Sequence, residues 1–189
     1  MTGDPPRLRR TVLTCHDTEV EGNLLEAARE LTFAAFGDRF DEHDWHHASG
    51  GWRVLALVDD AVVAHAAVVP RTLYVGAQRH ARDVGYLEAV ATTPKRWGHG
   101  DGTAVVRAAD HVIQEHFAFG ALSTSQHGFY ERLGWQRWQG PSSVLPADGG
   151  EPVRTADEEA GLMVLLTGAS VGLDLTAPLM CEERPGDDW

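Results

Sequence analysis

Apolar residues recur along this chain with two different periods, and the alternation of those periods lays out its elements. Across residues 21–36, Leu24, Leu25, Ala28, Leu31 and Ala35 return at intervals of three and four, the spacing of one helical face, and Gly37 supplies the stop. Residues 52–58 and 61–69 are runs rich in β-branched side chains, divided by the turn pair Asp59-Asp60, and they predict an antiparallel hairpin. A strand over 8–14 is expected before them, and a third run over 72–77 continues the meander. The second half opens with a strand over 84–92, a glycine-rich and basic loop over 93–102 and a helix over 103–116. That helix carries Val105, Val106, Ala109, Val112 and Ile113 on one face. A short strand at 121–123, a short helix at 128–133 before Gly134 and a strand over 135–145 follow. Residues 146–160 hold proline, glycine and acid with no period and read as a surface loop; strands at 162–167 and near 172–181 close the chain. The sum is a mixed α/β (α+β) sheet, antiparallel first, with a βαβ unit in its second half.

The length of 189 residues with 43% hydrophobic content suits one domain over residues 1–189. The longest apolar stretch, residues 61–69, is interrupted by His65 and falls far below the ~20 residues that cross a bilayer. The first 25 residues, with Asp4, Arg7, Arg9, Arg10 and Asp17 among them, hold no apolar signal segment. This reading excludes a membrane partner and a cleaved secretion signal. Cys15 and Cys181 stand near opposite ends without Cys-x-x-Cys spacing, which fits the reducing cytoplasm. The net charge of −12 repels phosphate backbones and excludes nucleic acid as a partner. The acids are also clustered, at Asp38, Asp41, Glu42 and Asp44, at Asp157, Glu158 and Glu159, and at Glu182, Glu183, Asp187 and Asp188. Convergence of these groups on one cleft would select a polycationic ligand.

The loop Lys95-Arg96-Trp97-Gly98-His99-Gly100-Asp101-Gly102 lies between a predicted strand and a predicted helix, where successive backbone N–H groups can face a pyrophosphate. No Gly-Lys-Ser/Thr follows, which rules out a Walker loop, and Thr103 stands where a dinucleotide fingerprint needs its third glycine. His43, His46 and His47 beside Asp44 match no zinc arrangement, so no metal is expected, and no Gly-x-Ser-x-Gly elbow is present for a serine hydrolase.

This loop resembles the signature of the GNAT acetyltransferase superfamily, approximately Gln/Arg-x-x-Gly-x-Gly/Ala at a helix start. Lys95 takes the first position, and Trp97 replaces the arginine usual before the first glycine. Phe129-Tyr130-Glu131-Arg132-Leu133-Gly134-Trp135 resembles that superfamily's later helix and turn. From Leu31 onward the chain is similar to the narrower family of aminoglycoside 2'-N-acetyltransferases. The segments that carry this likeness are Phe40-Asp41-Glu42-His43-Asp44-Trp45, Gly85-Tyr86-Leu87-Glu88-Ala89-Val90, Gly120-Ala121-Leu122-Ser123, Gly134-Trp135 and the closing Gly186-Asp187-Asp188-Trp189. One departure is a connection between Ser125 and Tyr130 about two residues shorter than the family's, close to where the acceptor is expected.

The resemblance implies a mostly antiparallel, twisted sheet with flanking helices and a V splayed between its central strands. It implies acetyl-CoA as co-substrate, with Val90 and Thr92 pairing with the pantetheine arm. Lys95, Arg96, Trp97, Gly98, His99, Gly100, Gly102 and Thr103 would surround the phosphates. It implies a cationic amino-sugar antibiotic bound by Asp44, Ser123, Glu158, Asp187 and Trp189, with the Trp189 indole flat on a sugar ring, and a homodimer. Acetyl transfer to an amine needs a base, and Glu88 is the candidate because it interrupts the apolar run 84–91 just before the cofactor loop. Tyr130 is the candidate acid, since a phenol and a thiol have pKa values of about 10 and 8.5. The expected activity is 2'-N-acetylation of aminoglycosides, hence antibiotic resistance. The rival readings are a GNAT acting on a polyamine or protein N-terminus, and a non-catalytic module that binds CoA or antibiotic without turnover.

Overall fold

The computed structural model describes residues 9–189. Ten strands form one sheet: β1 (Arg10–His16), β2 (Trp52–Val58), β3 (Ala61–Val75), β4 (His80–Thr92), β5 (Phe119–Ser123), β6 (Gln136–Arg137), β7 (Ser142–Leu145), β8 (Val153–Arg154), β9 (Leu162–Leu166) and β10 (Leu179–Glu182). Four helices flank it: α1 (Gly22–Phe36), α2 (Glu42–His47), α3 (Asp101–His116) and α4 (His127–Glu131). Position 8, where the opening strand was expected to begin, lies outside the described residues. The hairpin β2–β3 turns on Asp59 and Asp60, both at positive φ (49° and 65°), the geometry that matches the twist of its strands.

The sheet is mostly antiparallel. Two pairs run parallel, β4 with β5 and β10 with β7, and the first is the βαβ unit whose crossover is α3. Strand β3 is the spine. One edge pairs with β4 from Ala64 to Val75, while the other pairs with β2 as far as Val68 and with β10 from Leu73. Residues 72–77 were expected as a separate strand, yet β3 runs on without a break. Pro70 has no N–H to give, and it falls in the gap between the two partners of that edge.

The stretch 135–145, expected as one strand, divides. β6 joins β9 and β7 joins β10, because the chain between them is held elsewhere: Trp138 N–H donates to the Leu162 carbonyl, its indole N–H to Ala177, and Gln139 and Gly140 N–H to Leu175. Only Leu179–Glu182 of the expected strand near 172–181 is extended, since the preceding residues are taken up by turns at Gly172 (φ 86°) and Asp174. The loop 146–160 contains the two-residue strand β8, and the acidic stretch after Phe40 folds as α2, capped by Asp41.

Alternation along the strands separates two cores. Ala64, Ala66 and Val68 of β3 pack with Val105, Val106, Ala109 and Ile113 of α3. His65, on the opposite face, meets Thr32 of α1. A second core gathers Val84 and Tyr86 of β4, Phe119, Leu162, Leu179, Cys181 and the C-terminal Trp189. The candidate site lies where the two cores meet along β4.

Candidate functional site

The centre of the site is an irregularity in β4. Glu88 pairs with Ala67 and Ala91 with His65, so Ala89 and Val90 both stand opposite Ala66. This β-bulge holds Ala89 at φ 51°, a left-handed conformation that is costly for a residue with a Cβ. The extra residue resets the alternation. Before it, Tyr86 faces the second core and Leu87 the first; after it, Val90 shares the face of Leu87. Glu88 is therefore left on the Tyr86 face, and the strand beyond it is re-aimed. β4 also loses its neighbour here, because β5 pairs with it only from Val84 to Tyr86. Past Tyr86 the two parallel strands diverge and leave an open edge on β4.

A buried network pins the bulge. His65 Nδ1 lies 2.8 Å from the Ala89 carbonyl, and its Nε2 lies 3.1 Å from Arg53 Nη1. Burial pushes the imidazole pKa down to about 3, and the Arg53 charge adds to that fall, so the ring is neutral. Arginine can only donate, hence Nε2 accepts and the proton sits on Nδ1, which donates to Ala89. Arg53, 1% exposed, is held in turn by Asp17 at 2.6 Å and Ser49 at 3.0 Å, and lies over the Trp45 ring. Burial alone would raise the Asp17 carboxyl, but hydrogen bonds from Arg53 and the Gly50 N–H hold it below the usual range.

On one side of the divergence runs a groove of about 750 Å³. Val90, Thr92, Arg96, Trp97, Gly98, Gly100, Gly102, Thr103 and Tyr130 line it; Lys95 and His99 do not. Helix α3 opens onto the groove with no side-chain cap at Gly100, and its first backbone bond is from Ala104 N–H to the Gly100 carbonyl. The N–H groups before it have no partner within the helix and sit at its positive end. Gly100 has φ 82°, and a Cβ at Gly102 would stand 3.1 Å from the Thr92 hydroxyl, so both glycines let the helix start approach β4. Asp101, 1% exposed at this anion-favouring end, is neutralised by Arg96 at 2.6 Å and Arg10 at 3.5 Å. Arg39 and Arg132 add two more cations to the lining. An acidic chain thus concentrates positive potential where phosphates would lie, and the residues fit a CoA-type ligand. Tyr130 is buried, and burial, with Asp110, pushes its phenol pKa up, so it keeps its proton at neutral pH.

On the other face lies a cluster of acids. Glu88, with 16% of its side chain exposed, accepts a 2.9 Å bond from Arg184. Burial raises the Glu88 pKa, against the pull of Arg184 and Arg71. Glu158 is raised too, by burial and then by Asp187, Asp157 and Asp188, so the second and third acidic clusters do converge. The helix α2 leans on the same region, with His43 and His47 against Gly186. Asp44 also spends its carboxylate on the Asp41 N–H, as part of the helix cap. Ser123 ends β5, its hydroxyl packed on Gly161 just after Glu158. Trp189 departs from the expectation of an open stacking surface. Its indole is buried in the second core, 4% exposed, and donates to Thr155 at 3.0 Å.

The residue pattern pointed to neither Arg184 nor the Asp17–Arg53–His65 chain. An ionisable residue in the middle of an apolar run was the available signal for His65, while nothing in the spacing marked Arg184. Among the described residues no group of His, Cys, Asp and Glu is placed to hold a metal ion, and no helix is long and apolar enough to cross a membrane.

Residues 22–135 match the acetyltransferase (GNAT) family. The chain is 39% identical over 183 residues to an aminoglycoside 2'-N-acetyltransferase of Mycolicibacterium fortuitum, covering 95% of this chain and 92% of that protein. The fold is similar to that of the GNAT family N-acetyltransferase YhbS of Escherichia coli in complex with CoA (TM-score 0.69, 16% identity, 97% of each chain). It is also similar to a GCN5-related N-acetyltransferase of Kribbella flavida (TM-score 0.56, 17% identity, 71% of this chain), of which it spans only 34%.

Replacing His65 by Leu should remove the donor to Ala89 and unpair Arg53, lowering stability at pH 7 by about 1–3 kcal/mol in urea unfolding. The pH dependence has a defined sign. The unfolded imidazole takes its proton near pH 6.5 and the folded one near 3, so the wild type loses stability as pH falls across that window and the variant lacks this contribution. An unchanged midpoint and pH slope in His65→Leu would mean that the imidazole does not hold the bulge.

Proposed function

The chain belongs to the GNAT acetyltransferase family, and on that premise we propose that it transfers the acetyl group of acetyl-CoA to the 2'-amine of aminoglycoside antibiotics. The observation that carries this reading is the match along nearly the whole chain to the M. fortuitum enzyme. The two faces of β4 support it, with a cation-lined groove on one side and a convergent cluster of acids on the other.

Bound acetyl-CoA would supply the activated acetyl group; the chain supplies the rest. The open edge of β4 at Val90 and Thr92 offers backbone groups to the pantetheine arm, and the free N–H groups at the start of α3, with Arg96, meet the pyrophosphate. Glu158 and Asp187, joined by Asp44 and Ser123, accept charge-assisted bonds from the ammonium groups of the drug. Trp189 acts here as an anchor, its indole fastening the chain end to the acidic loop through Thr155. Glu88 takes the proton from the 2'-ammonium, directly or through a bridging water. The freed nitrogen pair attacks the thioester carbonyl, the carbon–sulfur bond breaks, the Tyr130 hydroxyl gives its proton to the departing thiolate, and the second proton that the nitrogen sheds as the amide forms restores Tyr130 to its neutral form. The drug loses one cationic centre, weakening its attraction to RNA phosphate. We place the enzyme in the cytoplasm as a homodimer. Both cysteines are free, which fits a reducing compartment, and sedimentation would read the assembly.

Release of CoA thiol should accompany acetylation of an aminoglycoside with a 2'-amine and be absent with a matched drug bearing a 2'-hydroxyl. Equal release with both, or preference for a polyamine, would favour the general-amine reading; none at all, a binding module. Glu88→Gln should lower kcat by about 10²-fold or more, and Tyr130→Phe somewhat less. Full turnover across pH in Glu88→Gln would remove it as the base. Gly100→Val puts a β-branched residue at φ 82° beside the phosphate cradle, so it should raise KM for acetyl-CoA far more than for the drug. Acetyl-CoA kinetics unchanged by it would overturn the cradle.

A further inference from the structure

An acidic face read as the seat of a polycationic substrate has no evident use for a sheltered cation, yet Arg184 stands among its carboxylates. Its side chain is 16% exposed, as little as that of Glu88, to which its Nη1 donates at 2.9 Å. Its Nε donates to the Asp187 carbonyl at 2.6 Å, and its backbone N–H to the Asp188 carboxylate at 3.0 Å. Three bonds from one residue thus tie the candidate base to the C-terminal hook that carries Asp187. Burying such a guanidinium against arriving ammonium groups is unfavourable unless it does something the site needs.

We propose that Arg184 is a positioning residue for the acetyl transfer: its guanidinium keeps the sheltered Glu88 carboxylate anionic and held on the acidic face, and fastens the hook that binds the drug. The proposal rests on the reading of this site as the amine-acetylating centre. A carboxyl removed from water drifts toward its neutral form, which can accept no proton, and an opposite charge in direct contact is what opposes that drift. The other groups around Glu88 do not replace it. Arg71, on β3, attracts from a greater reach, with its Nη2 spent on the Asp188 carbonyl and its guanidinium over the Tyr86 ring. Asp187, on the hook, repels, and Tyr86, next on the same face of β4, is neutral because burial pushes its phenol far up. Cys181 of β10 lies beyond with a thiol pushed up to about 11 by burial, and is neutral too. His47 of α2 sits near Arg184, where burial and the two arginines lower its pKa and keep it uncharged.

The test reads Glu88 in the drug-free, full-length protein, by carbon-13 NMR titration of labelled glutamate carboxyls with the Glu88 signal assigned from Glu88→Gln. Arg184→Gln should move the Glu88 midpoint up by about 1 pH unit or more. Arg184→Lys retains the charge but not the fork, so its midpoint should stay near wild type while KM for the drug rises several-fold with kcat nearly kept. A merely structural arginine would change stability or KM and leave the midpoint alone. An unmoved midpoint in Arg184→Gln overturns the proposal, and so does a midpoint in Arg184→Lys that rises as far as in Arg184→Gln. If the Gln variant does not fold, Arg184→Met, which keeps an unbranched stem without the charge, takes its place: a midpoint raised by about 1 unit upholds the proposal and a wild-type midpoint overturns it. Because the titration needs no acceptor, it stands apart from the drug assay. Absence of aminoglycoside turnover would count against the functional reading, whereas the midpoint judges Arg184.

Discussion

The site depends on one backbone constraint, the extra residue at Ala89. A regular β4 would send Val84, Tyr86, Glu88 and Val90 to one face, so that Val90 would point the same way as the carboxylate. The bulge leaves Glu88 on the acidic face and turns Val90 back toward the α3 side within two residues. The conformation of Ala89 is unfavourable in itself, by about 1–3 kcal/mol for a strained non-glycine residue, so something must over-determine it. The neutral His65 does so, and it stays neutral because burial, and then the Arg53 charge beside it, makes protonation unfavourable. The same segment of β4 has no neighbour on its β5 side, where an incoming strand-like ligand can pair.

Charge is sorted around that constraint. The chain is strongly acidic, yet arginines 39, 96 and 132 line the groove, where an uncapped helix start adds to them. A cluster of acids lies on the opposite face. There the hook after β10 and the loop before β9 bring Asp187, Asp188 and Asp157 close enough to raise the Glu158 carboxyl. Trp189 holds the hook down by burying its indole, Arg71 of β3 donates to its Asp188 carbonyl, and Arg184 ties it to Glu88 of β4. The closing segment of the chain is thereby as much part of the acidic face as any strand.

Much of this was legible in the chain itself. Helical spacing located α1 and α3, the Asp59-Asp60 turn located the hairpin, and the glycine loop marked the groove, because each is encoded by residues adjacent in sequence. Glu88 was visible as an acid in an apolar run. What was not legible depends on pairings across distance. The continuity of β3 past Pro70 follows from which strands border it, and the division of residues 135–145 follows from bonds to Leu162 and Leu175. His65 read as an interruption because its partners, Arg53 and the Ala89 carbonyl, lie 12 and 24 residues away. Arg184 is 96 residues from Glu88, and no local pattern distinguishes it from a solvated arginine. Trp189 read as a stacking surface, since sequence gives the chemistry of an indole but not whether a core takes it.

The most direct test of the account is a crystal structure of the protein with CoA and an aminoglycoside bound together. The account predicts the CoA pyrophosphate at the start of α3 and the pantetheine arm along β4 at Val90 and Thr92. It places the sulfur beside the Tyr130 hydroxyl and the 2'-nitrogen of the drug within reach of Glu88, directly or through one water. A drug bound away from the acidic face of β4, or turned with another nitrogen toward Glu88 and the sulfur, would contradict it.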